Sequence, residues 1–182
     1  MSEQERKEID AFLAFFATFD LGCPITTVAD LSDGDVLFEV LTLADSEYFR
    51  QPNRSTSQFS DNWILRFSAL KRLYRLLTQY FADILQKPTS GLDVPDLQAI
   101  AKDHNITATL IMCRMTIAIT VQCEKNQEII EKIQKLNEGA QHHLMKAIEQ
   151  VMVKIDSSQL ENGIGEAGMT ESVFSLTTTS AH

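Results

Sequence analysis

The sequence lacks an excess of basic residues: 16 lysines and arginines stand against 25 aspartates and glutamates, a formal net charge of −9. Nucleic acids and anionic membranes attract basic patches, so this balance argues against both as partners. It also argues against docking on the acidic surface of a cytoskeletal filament. Cysteine is scarce as well. The three thiols, Cys23, Cys113 and Cys123, form no CxxC pair, and we expect buried, reduced thiols.

Long apolar runs are missing too. No stretch of about 18 consecutive apolar residues occurs, which argues against a transmembrane helix and against direct membrane insertion. The first ten residues are charged and contain no apolar segment of the kind that a secretory signal requires. The sequence therefore predicts a cytoplasmic protein.

The motifs of catalytic and metal sites are also absent. The seven glycines are scattered, and GIGEAG near the C-terminus neither follows a strand nor opens an apolar helix. His142 and His143 are adjacent, so they point to different faces of a helix and cannot bind one ion together. No HExxH, GxSxG or aspartate-rich calcium loop is present. We expect no enzyme, no cofactor and no metal site.

Helical periodicity dominates what is present, and strand alternation is nearly absent, which predicts an all-α fold. The segment 106–123 is apolar almost all round, so we expect it at the centre of the core. One domain is predicted for residues 1–155, and the Ser-, Thr- and Gly-rich residues 156–182 are predicted to form a disordered tail or linker. Helices are predicted at about 4–19, 33–43, 62–85, 94–100, 106–123, 124–137 and 138–155, with a short helical turn within 21–31.

Several helix starts carry a recognisable cap. Ser32 or Asp33 is expected to cap the second helix, and the third is expected to begin near Asp61 or Asn62. Asp93 is the predicted cap of the fourth helix. Pro95 would then lie in its first turn, where a missing amide hydrogen is harmless.

The last predicted helix has more apolar surface than docking on one core requires. At about 100° per residue, its apolar residues span roughly 160°, against the roughly 100° of an ordinary core-facing stripe. The preceding helix, or a coiled coil beyond the chain, could cover the difference. Alternatively, part faces water and forms a groove for an amphipathic partner helix, which flexible methionines suit. The arc consists of Ala140, Leu144, Met145, Ala147, Ile148, Val151, Met152 and Ile155, with Gln141 at its edge.

Three runs of the sequence resemble the calponin-homology-like body of Hook domains: LSDGDVLFEVLTLADSEYF, SDNWILRFSALKRLYRLL and LDVPDLQAIAKDH. A fourth, VQCEKNQEIIEKIQKLNEGAQHHLMKAIEQVM, resembles a two-helix signature of the family that lies outside ordinary calponin-homology domains. The resemblance extends over about residues 5–153. It implies a calponin-homology-like helical globule with an additional C-terminal helix.

The resemblance also implies a function. Hook proteins are adaptors that link cytoplasmic dynein and dynactin to cargo such as early endosomes. Their Hook domain binds a short helix from the C-terminal region of the dynein light intermediate chain in a hydrophobic cleft. A glutamine and an isoleucine that the family needs for this contact fall on Gln141 and Ile148. The expected contact residues are Gln141, Leu144, Met145, Ile148 and Met152, with Ile129 and Ile133 from the preceding helix.

The sequence departs from the family pattern in places. Ile129 stands where the family has an aromatic residue, and Ala140 differs from the residue that precedes the family's glutamine. The long coiled coil that makes Hook proteins homodimers and reaches dynactin is not visible. Dimerisation and cargo attachment are therefore not carried over to this chain.

Two other functions stay open at this stage. A calponin-homology domain could associate with the cytoskeleton by binding microtubules or actin, and the basic cluster of Lys71, Arg72 and Arg75 would be its footprint. A purely structural cap on a coiled coil would instead leave the wide apolar arc buried within the chain.

Overall fold

A computed structural model describes residues 1–22, 24–50 and 62–161. This part of the chain contains seven α-helices, one 3-10 helix and no strand, which confirms the all-α prediction. The 3-10 helix, Val28–Leu31, is the short turn expected in that loop. The α-helices are α1 (Glu3–Ala17), α2 (Asp35–Ala44), α3 (Trp63–Asp83), α4 (Leu97–Asp103), α5 (Ile106–Thr120), α6 (Asn126–Gln134) and α7 (Glu138–Glu161).

Helix α5 lies at the centre of the core, as its sequence predicts. Its side chains are buried on every side, and it contacts α1, α2, α3, α4 and α7. Three of its buried residues are threonines whose hydroxyls need partners, and Thr109 Oγ1 donates to Asn105 O at 2.7 Å. Thr116 Oγ1 donates to Met112 O at 2.8 Å, and Thr120 Oγ1 donates to Ile117 O at 2.9 Å. The hydroxyls of these threonines are therefore satisfied by backbone carbonyls of the same segment and need no partner on another helix.

Two predicted helix starts are wrong. Helix α2 is capped by Gly34, whose φ of 80° lies in the left-handed region that favours glycine, and not by Ser32 or Asp33. Asp33 Oδ1 accepts from Asp35 N at 2.9 Å instead. Helix α4 begins later than predicted because Asp96, not Asp93, caps it: its Oδ1 accepts from Ala99 N at 3.0 Å.

Helix α3 starts at Trp63 after the cap Asn62, one of the two predicted positions. The Lys102 ammonium lies 4.9 Å from the centroid of the Trp63 ring. The Arg66 guanidinium donates to Ala101 O from Nε at 3.0 Å and from Nη2 at 2.7 Å. These contacts fasten the first turns of α3 to the end of α4.

Helix α7 continues to Glu161, so its last residues occupy the start of the predicted tail. A run of polar residues does not end the helix because Ser158 is buried and its Oγ donates to Lys154 O at 2.9 Å. The remainder of the predicted tail, 162–182, lies outside the described residues. Cys113 and Cys123 are free and buried, as predicted, whereas Cys23 also lies outside the described residues.

Candidate partner-helix site

Helix α7 docks on the groove between α1 and α5, and α6 covers its N-terminal edge. Its apolar arc is almost wholly buried: Leu144 and Ile155 are fully covered, and Ile148 is 2% exposed. Of the alternatives that the sequence left open, coverage of the arc by neighbouring helices of the chain is therefore the one that this structure shows. A helical wheel shows how wide an apolar face is, but not how many neighbouring helices surround it.

Five of the seven predicted site residues lie on α7 and two lie on α6, the helix that precedes it. Five belong to the single core cluster, and two stay half-buried at its edge. The buried five are Leu144, Ile148 and Met152 of α7, with Ile129 and Ile133 of α6. The half-buried two are Gln141 and Met145.

Gln141 ties the two helices together. Its Nε2 donates to Leu136 O at 2.6 Å and to Gln134 O at 3.1 Å. Carbonyls at the end of a helix have no partner within that helix, so this side chain satisfies acceptors at the end of α6. One residue earlier, Ala140 N donates to Asn137 Oδ1 at 2.8 Å, which caps α7. A hydrogen bond from Gln141 to a partner would have to replace these internal bonds.

Polar contacts join α1 and α5 beneath α7. Arg114 Nε donates to Glu8 Oε1 at 2.6 Å and Arg114 Nη2 donates to Glu8 Oε2 at 2.8 Å. The two side chains are 22% and 8% exposed, and the bond to Glu8 raises the pKa of Arg114. Closer to the start of both helices, Thr107 Oγ1 donates to Glu5 Oε1 at 2.6 Å. The surface that receives α7 is thus held together independently of α7.

The C-terminal half of α7 meets the loop between α3 and α4. A Cβ built on Gly91 would lie 2.6 Å from Lys154 O and 1.9 Å from Ser158 Oγ. Lys154 Nζ also pairs with Asp93 Oδ2 at 2.5 Å. A small cleft remains between this loop, α5 and α7, with Leu92, Ile111, Met115 and Val151 among its lining residues. The sequence alone does not reveal this role of Gly91, since close approach to a distant helix leaves no local pattern.

The described residues also bear on the metal-binding, membrane-spanning and basic sites considered from the sequence. No group of three or more potential metal-ligating side chains occurs in the described ranges. His104 Nδ1 lies 2.8 Å from Ser32 Oγ. No helix within those ranges is long and apolar enough to cross a bilayer. Lys71, Arg72 and Arg75 lie exposed on α3, with the Lys71 ammonium 4.7 Å from the Phe67 ring centroid.

These features define an all-helical domain closed by a long C-terminal helix, and comparison with known proteins identifies its family. The model of the HOOK domain matches residues 7–150. The chain therefore belongs to the HOOK domain family.

Individual relatives agree with this assignment. Human Protein Hook homolog 3 is 32% identical over 153 residues, which cover 82% of this chain and 21% of that protein. Protein Hook homolog 2 of Xenopus laevis is 29% identical over 160 residues, covering 86% and 22% respectively. The chain spans about a fifth of the length of these relatives.

A solved structure extends the likeness to the fold. The solution structure of the conserved domain of the mouse HOOK1 protein superimposes with a TM-score of 0.74 at 27% identity. The match covers 81% of this chain and 92% of that domain. The predicted family and fold are thereby confirmed.

Proposed function

We propose that this domain is a non-enzymatic adaptor module that binds the C-terminal helix of the dynein light intermediate chain at the junction of α6 and α7. In a longer Hook protein, the module would link cargo such as early endosomes to dynein and dynactin through a dimeric coiled coil. Membership of the HOOK domain family supports this proposal.

The observation that carries the proposal is the position of Gln141 and Met145. They are half-buried, one helical turn apart, at the edge where α7 meets α6. Ile148 lies next to them on the same side of the helix and leads into the core. A partner helix that reached this edge would find a polar group, a flexible thioether and then buried aliphatic side chains.

Binding in a groove requires α7 to move partly away from its neighbours, because five of the seven proposed contact residues are buried. A few apolar side chains of the partner would then replace internal contacts, at roughly 1.5–3 kcal/mol each. The loss of those contacts and the ordering of the partner oppose this gain. We therefore expect micromolar affinity, about −8 kcal/mol.

The test is a titration of the 182-residue chain into a labelled peptide of the light-intermediate-chain helix, followed by fluorescence anisotropy. We expect Met145→Ala to weaken binding at least about tenfold, because the flexible thioether lies where the peptide enters. Gln141→Ala should weaken it too. Val153→Ala is the matched control, since this residue is 52% exposed on the opposite side of α7. Equal affinity of Met145→Ala and Val153→Ala would refute the proposed site.

Ile148→Ala is a second probe, and its effect on peptide affinity must be compared with its effect on stability. We expect it also to reduce affinity at least about tenfold while the far-ultraviolet circular dichroism stays helical. Because Ile148 is buried, the same change should lower stability by about 2–4 kcal/mol. Affinity is therefore compared at a temperature where both chains are fully folded.

Filament binding is a second candidate function, favoured by the exposed cations of α3. Lys71, Arg72 and Arg75 lie on a helix whose one acidic residue is its last, Asp83. Binding through this cluster would fall steeply with salt, whereas an apolar groove should be nearly indifferent to it. Co-sedimentation with microtubules or actin at two salt concentrations tests this function. A chain that stays in the supernatant at low salt lacks it.

A further inference from the structure

The two halves of α7 are held in different ways. Its N-terminal half is held by side chains at the edge of α6, where Gln141 bonds to the end of that helix. Its C-terminal half is held by the loop 88–94, which we call the Gly91 loop. Four of the peptide-binding residues proposed above lie in the first half and two lie on α6, whereas Met152 shares the second half with the contacts of the Gly91 loop.

The contact at Gly91 depends on the absence of a side chain. Lys154 O, 2.6 Å from the position of an added Cβ, is a backbone atom and cannot rotate away as a side chain can. Either the loop or the helix must shift if any other residue stands here. The pairing of Asp93 with Lys154 adds an electrostatic contact between the same two segments.

Packing next to this contact is incomplete. The cleft lined by Leu92, Ile111, Met115 and Val151 separates the loop, α5 and α7 just beside Gly91. In this half of α7, Val151, Met152 and Ile155 are buried in the core, and the close approach at Gly91 adds a contact with the loop. Beneath α7, the Glu8–Arg114 pair joins α1 to α5 through contacts that do not involve α7.

From these observations we infer that the Gly91 loop is a latch that holds α7 closed over its own apolar arc and thereby sets the affinity for a partner helix. This inference rests on the function proposed above. When the loop releases α7, the buried side of the helix becomes available. A partner that binds the open form binds more weakly in proportion to how rarely that form is populated.

Gly91→Ala tests the latch directly. We measure backbone hydrogen exchange of residues 150–160 in the 182-residue chain without peptide, and peptide affinity by anisotropy. We expect the amides of this half of α7 to exchange at least about fivefold faster, and the peptide to bind at least about threefold more tightly. Gly22→Ala is the matched control, because no atom lies within 4 Å of the Cβ it adds.

A charge reversal provides a milder test in case Gly91→Ala does not fold. Asp93→Lys places two cations together at an exposed position, where folding of the domain is not at risk. Exchange in the second half of α7 should rise, and the swapped pair Asp93→Lys with Lys154→Asp should restore it. If Asp93 mattered for the conformation of the loop and not for its pairing with Lys154, the swapped pair would not restore slow exchange.

The outcomes separate the latch from the proposed function. Faster exchange in Gly91→Ala with no peptide binding by any variant supports the latch and removes the light-intermediate-chain helix as its partner. Peptide binding that Met145→Ala abolishes, with exchange and affinity unchanged by Gly91→Ala, overturns the latch and keeps the function. Unchanged exchange in both Gly91→Ala and Asp93→Lys overturns the latch whatever the peptide does.

Discussion

Helices α5 and α7 are both rich in apolar residues, but they are buried in different ways. Helix α5 is surrounded by other helices and hides residues on every side. Helix α7 is longer, buries one side, and exposes Val153 and Leu160 on the other. A helix enclosed on all sides cannot leave without unfolding the domain. A helix docked by one side has fewer neighbours to leave, so α7 is the element better suited than α5 to exchange partners.

The largest expected effect is a difference in how much an alanine substitution in each helix lowers the free energy of unfolding. Ile117→Ala in α5 should lower the free energy of unfolding by about 2–5 kcal/mol, because it leaves a cavity where no neighbour is free to collapse. Leu160→Ala in α7 should change it by less than about 0.5 kcal/mol, since that side chain is 72% exposed. Urea unfolding followed by circular dichroism measures both. Similar losses for the two variants would erase the contrast between α5 and α7.

A smaller effect is expected from the pair beneath α7. Glu8→Ala should cost about 1–3 kcal/mol, because it leaves the Arg114 guanidinium largely buried without its carboxylate. The double variant with Arg114→Ala should recover part of that loss, and a double-mutant cycle measures the coupling. Glu3→Ala is the control: it breaks the exposed pair with Lys7 and should cost less than about 0.5 kcal/mol. Independent losses at Glu8 and Arg114 would show that the pair does not join α1 to α5.

The smallest expected effect is a pH dependence of the contact between α1 and α7. Gln4 Nε2 lies 3.4 Å from His143 Nδ1, and burial, followed by the neighbouring His142, lowers the pKa of His143. A folded-state pKa below the unfolded one means that protonation favours unfolding, so stability should fall as the pH drops below about 6.5. Unfolding of the wild-type chain and of His143→Gln at pH 7.5 and 5.5 tests this. If stability changes equally with pH in both chains, the pH dependence comes from groups other than His143.

Much of the fold could be predicted from local patterns. The segment 106–123 is apolar almost all round, so it can be covered only at the centre of a bundle, and α5 is found there. Helix starts were harder, since Asp93 and Asp96 are both residue types that cap helices. Pro95 disfavours the helical region for Val94, so the helix begins after Asp96 and that residue is the cap.

The sequence predicts which residues share one side of α7, but not whether that side is exposed or covered. The spacing of the α7 residues gave their common side, while the coverage of that side by α1, α5 and α6 depends on tertiary packing. The internal bonds of Gln141 are also invisible in a pattern, because they depend on where α6 ends. Gly91 is the clearest case, because the need for a glycine there comes from the backbone oxygen of Lys154, a residue distant in the sequence.

Trp63 is the one tryptophan of the chain, and its position decides what intrinsic fluorescence can report. Its indole lies at the start of α3 beneath the Lys102 ammonium, so its emission reports the junction of α3 and α4. Global unfolding should shift that emission to longer wavelength, whereas movement of α7 alone should leave it unchanged. A peptide that speeds exchange in α7 without altering the emission spectrum would therefore open the helix within a folded domain.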